Sequence, residues 1–358
     1  MLEPTTDVAD LACQLVDIES VSGGETRLAD AIHTALRDHP HLDLTRLGNV
    51  IVARTRFGRA SRVAIAGHID TVPVVGNLPG RRETIEGRPA LVGRGACDMK
   101  GGLAVQLHLA ATITDAGRDI TWIFYDNEEV EASRNGLGRL AAARPGLLEA
   151  GMAILMEPSD ARIEAGCQGT LRARITTTGR RAHSARSWLG HNAIHDMAGA
   201  LTILDAFQAE HVSVDGLVYR EGLNAVGITG GIAGNIIPDR CELNVNYRFA
   251  PDKDIEAASR VLREIFAGYA AEILDAAPAA RPCLDDPLVA SLVAAVGEGV
   301  KPKFGWTDVA RFAALGIPAV NYGPGDPGLA HTDDEFVFLD SVAACTAVLR
   351  NWLATSPE

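Results

Sequence analysis

Two features are missing from this sequence, and each absence argues against a class of protein. Its six cysteines show no paired spacing, and a chain of 358 residues is long enough to bury a core without disulfide staples. The N-terminus carries acidic residues and no basic leader before an apolar run, so it does not resemble a secretory signal. We therefore expect a protein of a reducing compartment, the cytoplasm.

Basic charge and long apolar runs are also scarce. The chain has 33 Lys and Arg residues against 46 Asp and Glu residues, which gives a formal net charge of −13. This negative charge disfavours nucleic acid or an anionic membrane surface as a partner. No segment reaches the roughly 18 consecutive apolar residues of a membrane-spanning helix. The sequence thus predicts a compact protein with neither nucleic acid nor membrane as a partner.

Apolar runs of strand type alternate with helical patterns in the first half of the chain. Strand-like runs cover residues 62–66, 121–125 and 153–156, and helical spacing covers 28–36 and 103–113. This alternation predicts an α/β fold with a central sheet flanked by helices. In such folds ligands bind at the carboxyl ends of the strands.

The pattern changes near Thr170 and predicts a second domain. The order becomes strand, helix, strand, strand, helix, strand, over residues 171–177, 192–207, 223–229, 241–249, 254–267 and 271–275. This order is that of a ferredoxin-like α+β domain. We predict a catalytic domain over residues 1–168 and 281–358, with an inserted dimerisation or lid domain over 169–280.

Five residues that could bind metal lie where a predicted strand gives way to a loop: His68, Asp98, Glu129, Glu157 and His331. No local motif links them. A structural zinc site usually consists of closely spaced Cys and His pairs, whereas ligands gathered from several strand ends suit an open, hydrolytic site with two metals. The scatter therefore indicates a metal-dependent hydrolase.

Each of these segments allows a functional interpretation and a purely structural one. His68 and Asp70 share one face of an extended chain, so the carboxylate could accept the second imidazole N–H and orient the ring. Asp98 precedes a helix, where it could be a cap or could bridge two cations. Glu128 and Glu129 could be solvated turn residues, or one could bind metal while the other faces the attacking water.

Nine segments in order match one known family: GHIDTVP (67–73), CDMKGG (97–102), YDNEE (125–129), EPS (157–159), EAGCQGTL (164–171), AHSARSWLG (182–190), AGNIIP (233–238), WTDVARFAALGIP (306–318) and NYGPG (321–325). With them the chain resembles the M20 metallopeptidase family of dinuclear zinc amidohydrolases. Within that family it is similar to the succinyl-diaminopimelate desuccinylases of actinobacterial type.

The resemblance implies two Zn²⁺ per chain, for which Co²⁺ could substitute. One ion would be bound by His68 and Glu157, the other by Glu129 and His331, and Asp98 would bridge them. The same N and O ligands would also suit Co²⁺.

The resemblance further implies three residues that act on the reaction. Asp70 would orient His68, and Glu128 would be the general base. His183 would help to stabilise the oxyanion in the site of a partner, which implies a homodimer through the inserted domain. Without the resemblance, the setting of His183 beside Ser184 and Arg186 favours a surface histidine.

The substrate implied is a small N-acyl amino acid, N-succinyl-L,L-2,6-diaminopimelate, which carries carboxylates that Arg or backbone N–H groups could recognise. The matching positions are Arg248, Asn235, Thr307, Gly323 and Gly325. Other branches of the family carry an Arg-rich stretch where this chain has residues 166–170, and Arg186 could substitute for it.

Two alternatives remain open at this point. Another M20 deacylase or dipeptidase, such as an acetylornithine deacetylase, would share the metal chemistry and differ only in pocket residues. A noncatalytic α/β binding protein would keep the fold but lose a metal ligand or the base. All five ligands and Glu128 are present, which favours an enzyme.

Overall fold

The computed structural model describes residues 2–355, which divide into two compact units. The first takes the chain up to Ala165, then Cys283–Lys301, and then the chain from Arg311 onward. The second takes Gly166–Pro282 and Pro302–Ala310.

The strands of the described chain, in order, are β1 (Leu42–Leu47), β2 (Val50–Thr55), β3 (Arg62–His68), β4 (Arg81–Ile85), β5 (Arg88–Val92), β6 (Asp119–Tyr125), β7 (Met152–Leu155), β8 (Glu164–Ala165), β9 (Gly169–Thr178), β10 (His211–Val214), β11 (Leu217–Arg220), β12 (Gly222–Gly230), β13 (Arg240–Phe249), β14 (Ala270–Ala277), β15 (Lys301–Pro302), β16 (Ala319–Asn321) and β17 (Phe336–Phe338).

The α-helices are α1 (Val8–Val16), α2 (Thr26–Leu36), α3 (Gly101–Thr112), α4 (Gly136–Ala143), α5 (Ala193–Asp196), α6 (Ala198–Ala206), α7 (Ile255–Ile265), α8 (Pro287–Val296), α9 (Val309–Ala314) and α10 (Leu339–Ala354). Short 3₁₀ segments cover Pro145–Leu147, Ser184–Leu189 and Pro327–Leu329, and a π-helical turn covers Ala96–Lys100. Within residues 2–355, none of the helices combines the length and the apolar character needed to cross a bilayer.

The first unit is built on an eight-stranded sheet in the order β1-β2-β6-β3-β7-β16-β8-β15. Strands β6, β3, β7 and β16 are parallel neighbours. Every residue of β6 and β7 is buried, as is every residue of β3 after Arg62, because helices cover the sheet. The predicted α/β class with a central sheet is confirmed.

Helix α3 forms the buried layer next to the parallel strands. It contacts β3, β6, α1 and α10, and all its residues except His108 and Thr112 are buried. A helix that is apolar on all sides must lie inside the fold. Its close approach to the sheet depends on Gly67, where a Cβ atom would lie 2.7 Å from Oε1 of Gln106.

The second unit is an antiparallel sheet in the order β12-β13-β9-β14, with the chain order that the sequence predicts for a ferredoxin-like unit. Along β13 after the exposed Arg240, buried and half-buried residues alternate, and the buried ones pack with α5, α6 and α7 in one apolar core. The predicted helix over 192–207 is two short helices, α5 and α6.

A hairpin that the sequence analysis missed joins α6 to β12. Strands β10 and β11 pair through Val214 and Leu217, and the two turn residues, Asp215 and Gly216, have φ of 49° and 83°. Positive φ at both central residues is the type I′ hairpin geometry that Asp-Gly favours. That dipeptide was therefore a signal in the sequence.

Candidate metal centre

Parallel strands bring most of the candidate residues to one edge of the central sheet. His68 at the end of β3 is in register with Tyr125 at the end of β6, and Ala66 is in register with Leu155 at the end of β7. The residues that follow these strand ends therefore meet at the same edge. They are Asp70, Glu128, Glu129 and Glu157.

The carboxylate of Asp98 lies between two imidazoles. Its Oδ1 is 3.1 Å from Nε2 of His68, and its Oδ2 is 3.4 Å from Nε2 of His331. Each oxygen thus faces a different ring, which is the arrangement needed by a carboxylate that bridges two cations. Asp98 precedes α3 but makes no side-chain cap there, so the capping interpretation receives no support.

Glu129 completes the cluster on the His331 side. Its Oε1 is 2.8 Å from Nε2 of His331. One ligand atom each from His68, Asp98 and Glu129 lie within 4.8 Å of one another, a spacing that could hold a metal ion. His331 itself has a left-handed backbone with φ of 65° and a side chain that is 53% exposed.

Asp70 connects the strand that carries His68 to the turn that carries the two glutamates. Its carboxylate accepts hydrogen bonds from the backbone amides of Glu128 (2.9 Å) and Glu129 (3.1 Å) and from the hydroxyl of Ser22 (2.7 Å). Ser22 was not among the predicted residues, and a serine 48 positions earlier in the chain offers no local signal.

The orientation of His68 differs in detail from the expected one. Its Nδ1 is 3.0 Å from the backbone oxygen of Asp70 and 3.6 Å from the carboxylate oxygen Oδ1. The nearer acceptor is therefore the main chain. With Nδ1–H donating to this carbonyl, Nε2 is the atom that faces Asp98, and this is the atom that a metal would bind.

The charges of the cluster suit a divalent cation. Burial lowers the pKa of His68, but the carboxylates of Asp70 and Asp98 raise it more, and the net pKa lies well above 6.5. Hydrogen bonds to Asp98 and Glu129 raise the pKa of His331 to about 10. Burial raises the pKa of Asp98, but the two imidazoles lower it further, to a net value below the usual 3.8. A bound cation would replace the two imidazole protons against the same carboxylates.

Glu157 follows β7 at the same edge and is 5% exposed. It interacts electrostatically with His68 and raises the pKa of that residue. The residue before it, Met156, is held by α3, because a Cβ on Gly102 would lie only 2.1 Å from the carbonyl oxygen of Met156. The structure thus brings all five predicted metal ligands to one edge of the first unit.

The two predicted substrate glycines of the first unit have packing roles of their own. A Cβ on Gly323 would lie 2.6 Å from the carbonyl oxygens of Met156 and Glu157. Gly325 has φ of 95°, and a Cβ there would lie 2.7 Å from Sγ of Cys97. Only glycine fits such close backbone approaches. Their contact with substrate stays a prediction.

Three of the predicted residues lie close together on the surface of the second unit. The amide of Ser184, next to His183, donates to the carbonyl of Asn235 (2.9 Å). Nδ1 of His183 accepts from the amide of Ala185 (3.1 Å), so in the neutral ring Nε2 carries the proton and can donate it in a hydrogen bond. His183 and Arg186 are both exposed.

Arg248 and Thr307 both interact with Cys167 in the second unit. Sγ of the buried Cys167 is 3.8 Å from the carbonyl oxygen of Thr307, and Cys167 interacts electrostatically with Arg248. Nε of the half-buried Arg248 donates to Oδ1 of Asn246 (3.1 Å), and burial lowers the pKa of the guanidinium. Cys167, within the stretch 166–170, thus interacts with both predicted substrate residues.

The chain was also compared with family models, with other proteins and with solved structures. The model of peptidase family M20/M25/M40 matches residues 64–355. The chain is 51% identical over 356 residues to DapE of Mycobacterium tuberculosis, covering 99% of each chain. It is 46% identical over 355 residues to the succinyl-diaminopimelate desuccinylase of Corynebacterium glutamicum, covering 96% and 95%. Among solved structures, an M20 family metallo-carboxypeptidase of Sulfolobus solfataricus shares the fold with a TM-score of 0.78 at 18% identity, covering 98% and 99%.

Proposed function

We propose that this chain, which belongs to peptidase family M20/M25/M40, cleaves N-succinyl-L,L-2,6-diaminopimelate to succinate and L,L-diaminopimelate. This reaction is a step toward lysine and peptidoglycan precursors. The observation that carries the reaction class is the carboxylate of Asp98 between two imidazoles, one on each oxygen. The substrate is supported by the identity of 46% to the desuccinylase of Corynebacterium glutamicum along nearly the full length of both chains.

The proposed metal ligands are the five residues at the edge of the central sheet. His68 and Glu157 would hold one cation, Glu129 and His331 the other, and Asp98 would contribute to both. We propose Zn²⁺, and Co²⁺ suits the same ligands. When bound, the two cations supply Lewis acidity that polarises the amide carbonyl and makes water reactive near neutral pH.

Glu128 would move the proton. Its backbone amide donates to the carboxylate of Asp70. The carboxylate of its neighbour Glu129 contacts His331 at 2.8 Å, so the two glutamates have different surroundings. Glu128 would take a proton from the water that attacks the amide carbon, and would deliver that proton to the nitrogen of the leaving amine. The C–N bond breaks in that step, which leaves succinate and the free amine.

His183 would donate to the developing oxyanion through its Nε2–H, in the site of a second chain. A homodimer through the second unit is supported by the edge strand β12. This strand exposes Val226 (59%) and Ile228 (53%) on a sheet edge, and an apolar free edge is a surface that pairs with another chain. A second copy of this chain is the proposed partner.

The carboxylates of the substrate would be bound by the remaining candidates: Arg248, Arg186, Asn235, Thr307 and the backbone of Gly323 and Gly325. Arg248 is the strongest of these, because its guanidinium is partly buried and a bound carboxylate would offset the cost of burying that charge. The cytoplasm is the proposed compartment, which is supported by free thiols at all six cysteines.

Substrate preference is the experiment that tests the proposed function. The protein with zinc supplied is expected to hydrolyse N-succinyl-L,L-diaminopimelate with kcat/KM orders of magnitude above that for N-acetylornithine or a plain dipeptide, since an unpaired buried charge costs several kcal/mol. Arg248→Ala should lower this preference. Arg172→Ala is the matched control, because Arg172 lies on neighbouring β9 and pairs with Asp275 at the surface.

A better rate with acetylornithine or the dipeptide would refute the desuccinylase assignment and leave the reaction class intact. The reaction class has its own test, which is metal content. Elemental analysis should find two divalent ions per chain, and chelation should abolish hydrolysis until metal is restored. Full activity with a single ion per chain would refute the two-metal site.

A further inference from the structure

A buried carboxylate lies four residues after His331 and accepts hydrogen bonds from the loop that carries Asp98. Glu335 is 1% exposed. Its Oε1 accepts hydrogen bonds from the backbone amides of Cys97 (3.0 Å) and Asp98 (2.9 Å), and its Oε2 accepts one from the amide of Gly95 (3.0 Å). Three amides of one short loop thus donate to a single side chain.

Arg94, which is 3% exposed, is the fourth donor to the same carboxylate. Its Nη1 lies 2.9 Å from Oε2 of Glu335 and also 2.9 Å from the carbonyl oxygen of Thr332, the residue after His331. Its Nε donates to the carbonyl of Pro73 (3.0 Å). One guanidinium therefore joins the loop of Asp98, the loop of His331 and the loop that follows Asp70.

A buried ion pair is by itself weak evidence of a role in stability. Buried ion pairs can often be replaced by apolar residues without loss of stability, because desolvation offsets the Coulomb attraction. Apolar side chains could not satisfy the three amides of Gly95, Cys97 and Asp98, however, and those amides fix the backbone from which the Asp98 carboxylate projects. The carboxylate of Glu335 thus orients this loop.

The two halves of the cluster depend on the pair to different degrees. His68 is the last residue of β3 and is held by the carbonyl of Asp70 at 3.0 Å. His331 lies outside any helix or strand, in a left-handed conformation, and its side chain is 53% exposed. The contacts of Glu335 and Thr332 with Arg94 join its loop to the loop of Asp98.

We propose that Glu335 and Arg94 are positioning residues that hold the loops of Asp98 and His331 in register for the second cation, the one assigned to Glu129 and His331. This inference rests on the proposed metal site. Neither residue touches the reacting atoms. Each acts through the metal ligands, as supporting hydrogen bonds commonly do at metal sites.

The test is a stepwise titration of the metal-free protein with metal. Binding of Co²⁺ is measured by its visible absorption and binding of Zn²⁺ by calorimetry. In Glu335→Gln, one amide of the loop would meet an NH₂ group in place of an oxygen. We expect the first equivalent to bind as in the wild type and the second to bind roughly 10- to 100-fold more weakly. Excess metal should restore kcat, because it fills the weakened site without changing the dissociation constant of that site.

Asp119→Asn is the matched control. Asp119 is another buried carboxylate that accepts backbone amides, from Phe57 (2.7 Å) and Arg59 (3.1 Å), and that lies beside an arginine, Arg62 (3.5 Å). It begins β6, at the end of the strand opposite to Tyr125 and the metal ligands. The control should lower the unfolding temperature and leave both metal affinities unchanged.

A second variant decides the question where Glu335→Gln does not fold. Arg94→Lys keeps the charge next to Glu335 and loses the guanidinium that reaches Thr332 and Pro73. It should weaken the binding of the second equivalent by a smaller factor than Glu335→Gln does. Wild-type binding of both equivalents in Arg94→Lys, or equal weakening of both equivalents in either variant, would overturn the inference. So would failure of both variants to fold with metal present, since the pair would then be a folding requirement.

The wild-type titration separates this inference from the proposed function. A wild-type protein that binds no second equivalent contradicts the proposed metal site itself. A wild-type protein that binds two equivalents, together with variants that do the same, contradicts only the role given to Glu335 and Arg94.

Discussion

Glu128 and Glu129 share one anchor but face different surroundings. Both backbone amides donate to Asp70, while the Glu129 carboxylate contacts His331. We expect Glu128→Gln to keep both metals and to lose roughly 10²- to 10⁴-fold in kcat, the usual contribution of a general base. Glu129→Gln should instead weaken metal binding. Metal analysis and kcat on the same samples check both, and a near-normal kcat in Glu128→Gln would show that another group is the base.

Glu25 gives a pH dependence of stability whose sign can be stated. It is fully buried, and burial raises its pKa above 4.5, with the charges of Asp70 and Asp126 acting in the same direction against two backbone hydrogen bonds. Because the folded pKa is above the unfolded one, the carboxyl favours folding only below about pH 4.5 and opposes it as the pH rises.

Glu25→Gln should therefore increase the free energy of unfolding at pH 7, and the gain should disappear toward pH 4. Urea unfolding of the metal-free protein at the two pH values measures this. Glu149→Gln, at an exposed position, is the control and should change little at either pH. An equal effect of Glu25→Gln at both pH values would show that the change acts through packing and not through ionisation.

Single residues show how far the sequence predicts the site. The position of His68, Glu129 and Glu157 at one edge of the sheet could be predicted because each follows an apolar run of strand type. The hydroxyl of Ser22 on Asp70 and the carboxylate of Glu335 on the Asp98 loop could not, since they meet their partners across 48 and 237 positions of chain. No local pattern encodes such contacts, which exist only after the sheet has assembled.

At the scale of elements, the contact of α3 with the end of β7 is the tightest constraint near the site. A Cβ on Gly102 would lie 2.1 Å from the carbonyl oxygen of Met156. Alanine favours helices over glycine by about 1 kcal/mol. Overpacking costs about 1–3 kcal/mol and occasionally more, and an overlap with main chain is hard to relieve.

We therefore expect Gly102→Ala to lower the free energy of unfolding in denaturant titrations and to weaken metal binding, since Glu157 follows Met156 directly. Gly299→Ala is the control, because a Cβ there meets nothing within 4 Å. Unchanged stability of Gly102→Ala would mean that α3 can shift away from the sheet without cost.

The elements that could be predicted are the ones with strong apolar patterns. The runs at 62–66, 121–125 and 153–156 became β3, β6 and β7. Strand β4 was not predicted, because its sequence RRETI is polar and its residues are largely exposed at the margin of a small sheet. Its pairing with β5 is what makes it a strand, and pairing is a tertiary property.

At the scale of the whole molecule, the proposed homodimer can be tested by subunit exchange. His183→Ala chains mixed with Glu128→Gln chains should form heterodimers in which one site has an intact Glu128 and receives an intact His183. Random exchange should restore roughly a quarter of the wild-type rate, because half of the dimers are mixed and each has one complete site.

The control mixes His183→Ala with a chain that carries both substitutions. It should regain nothing, because no site then receives His183. Activity that does not rise in the first mixture would show that His183 works within its own chain or has no role.

The order of the central sheet has a consequence for synthesis of the protein. Strand β16 lies between β7 and β8, with Val320 in register with Ile154, although all of β9–β14 is translated in between. A nascent chain that has passed Glu157 therefore keeps one edge of β7 open until β16 has been made, and such non-local pairing is slow to form. An unpaired apolar strand edge invites aggregation. Ribosomes that stall within the second unit should consequently release fragments that aggregate and that cannot be rescued by zinc, because His331 has not yet been made.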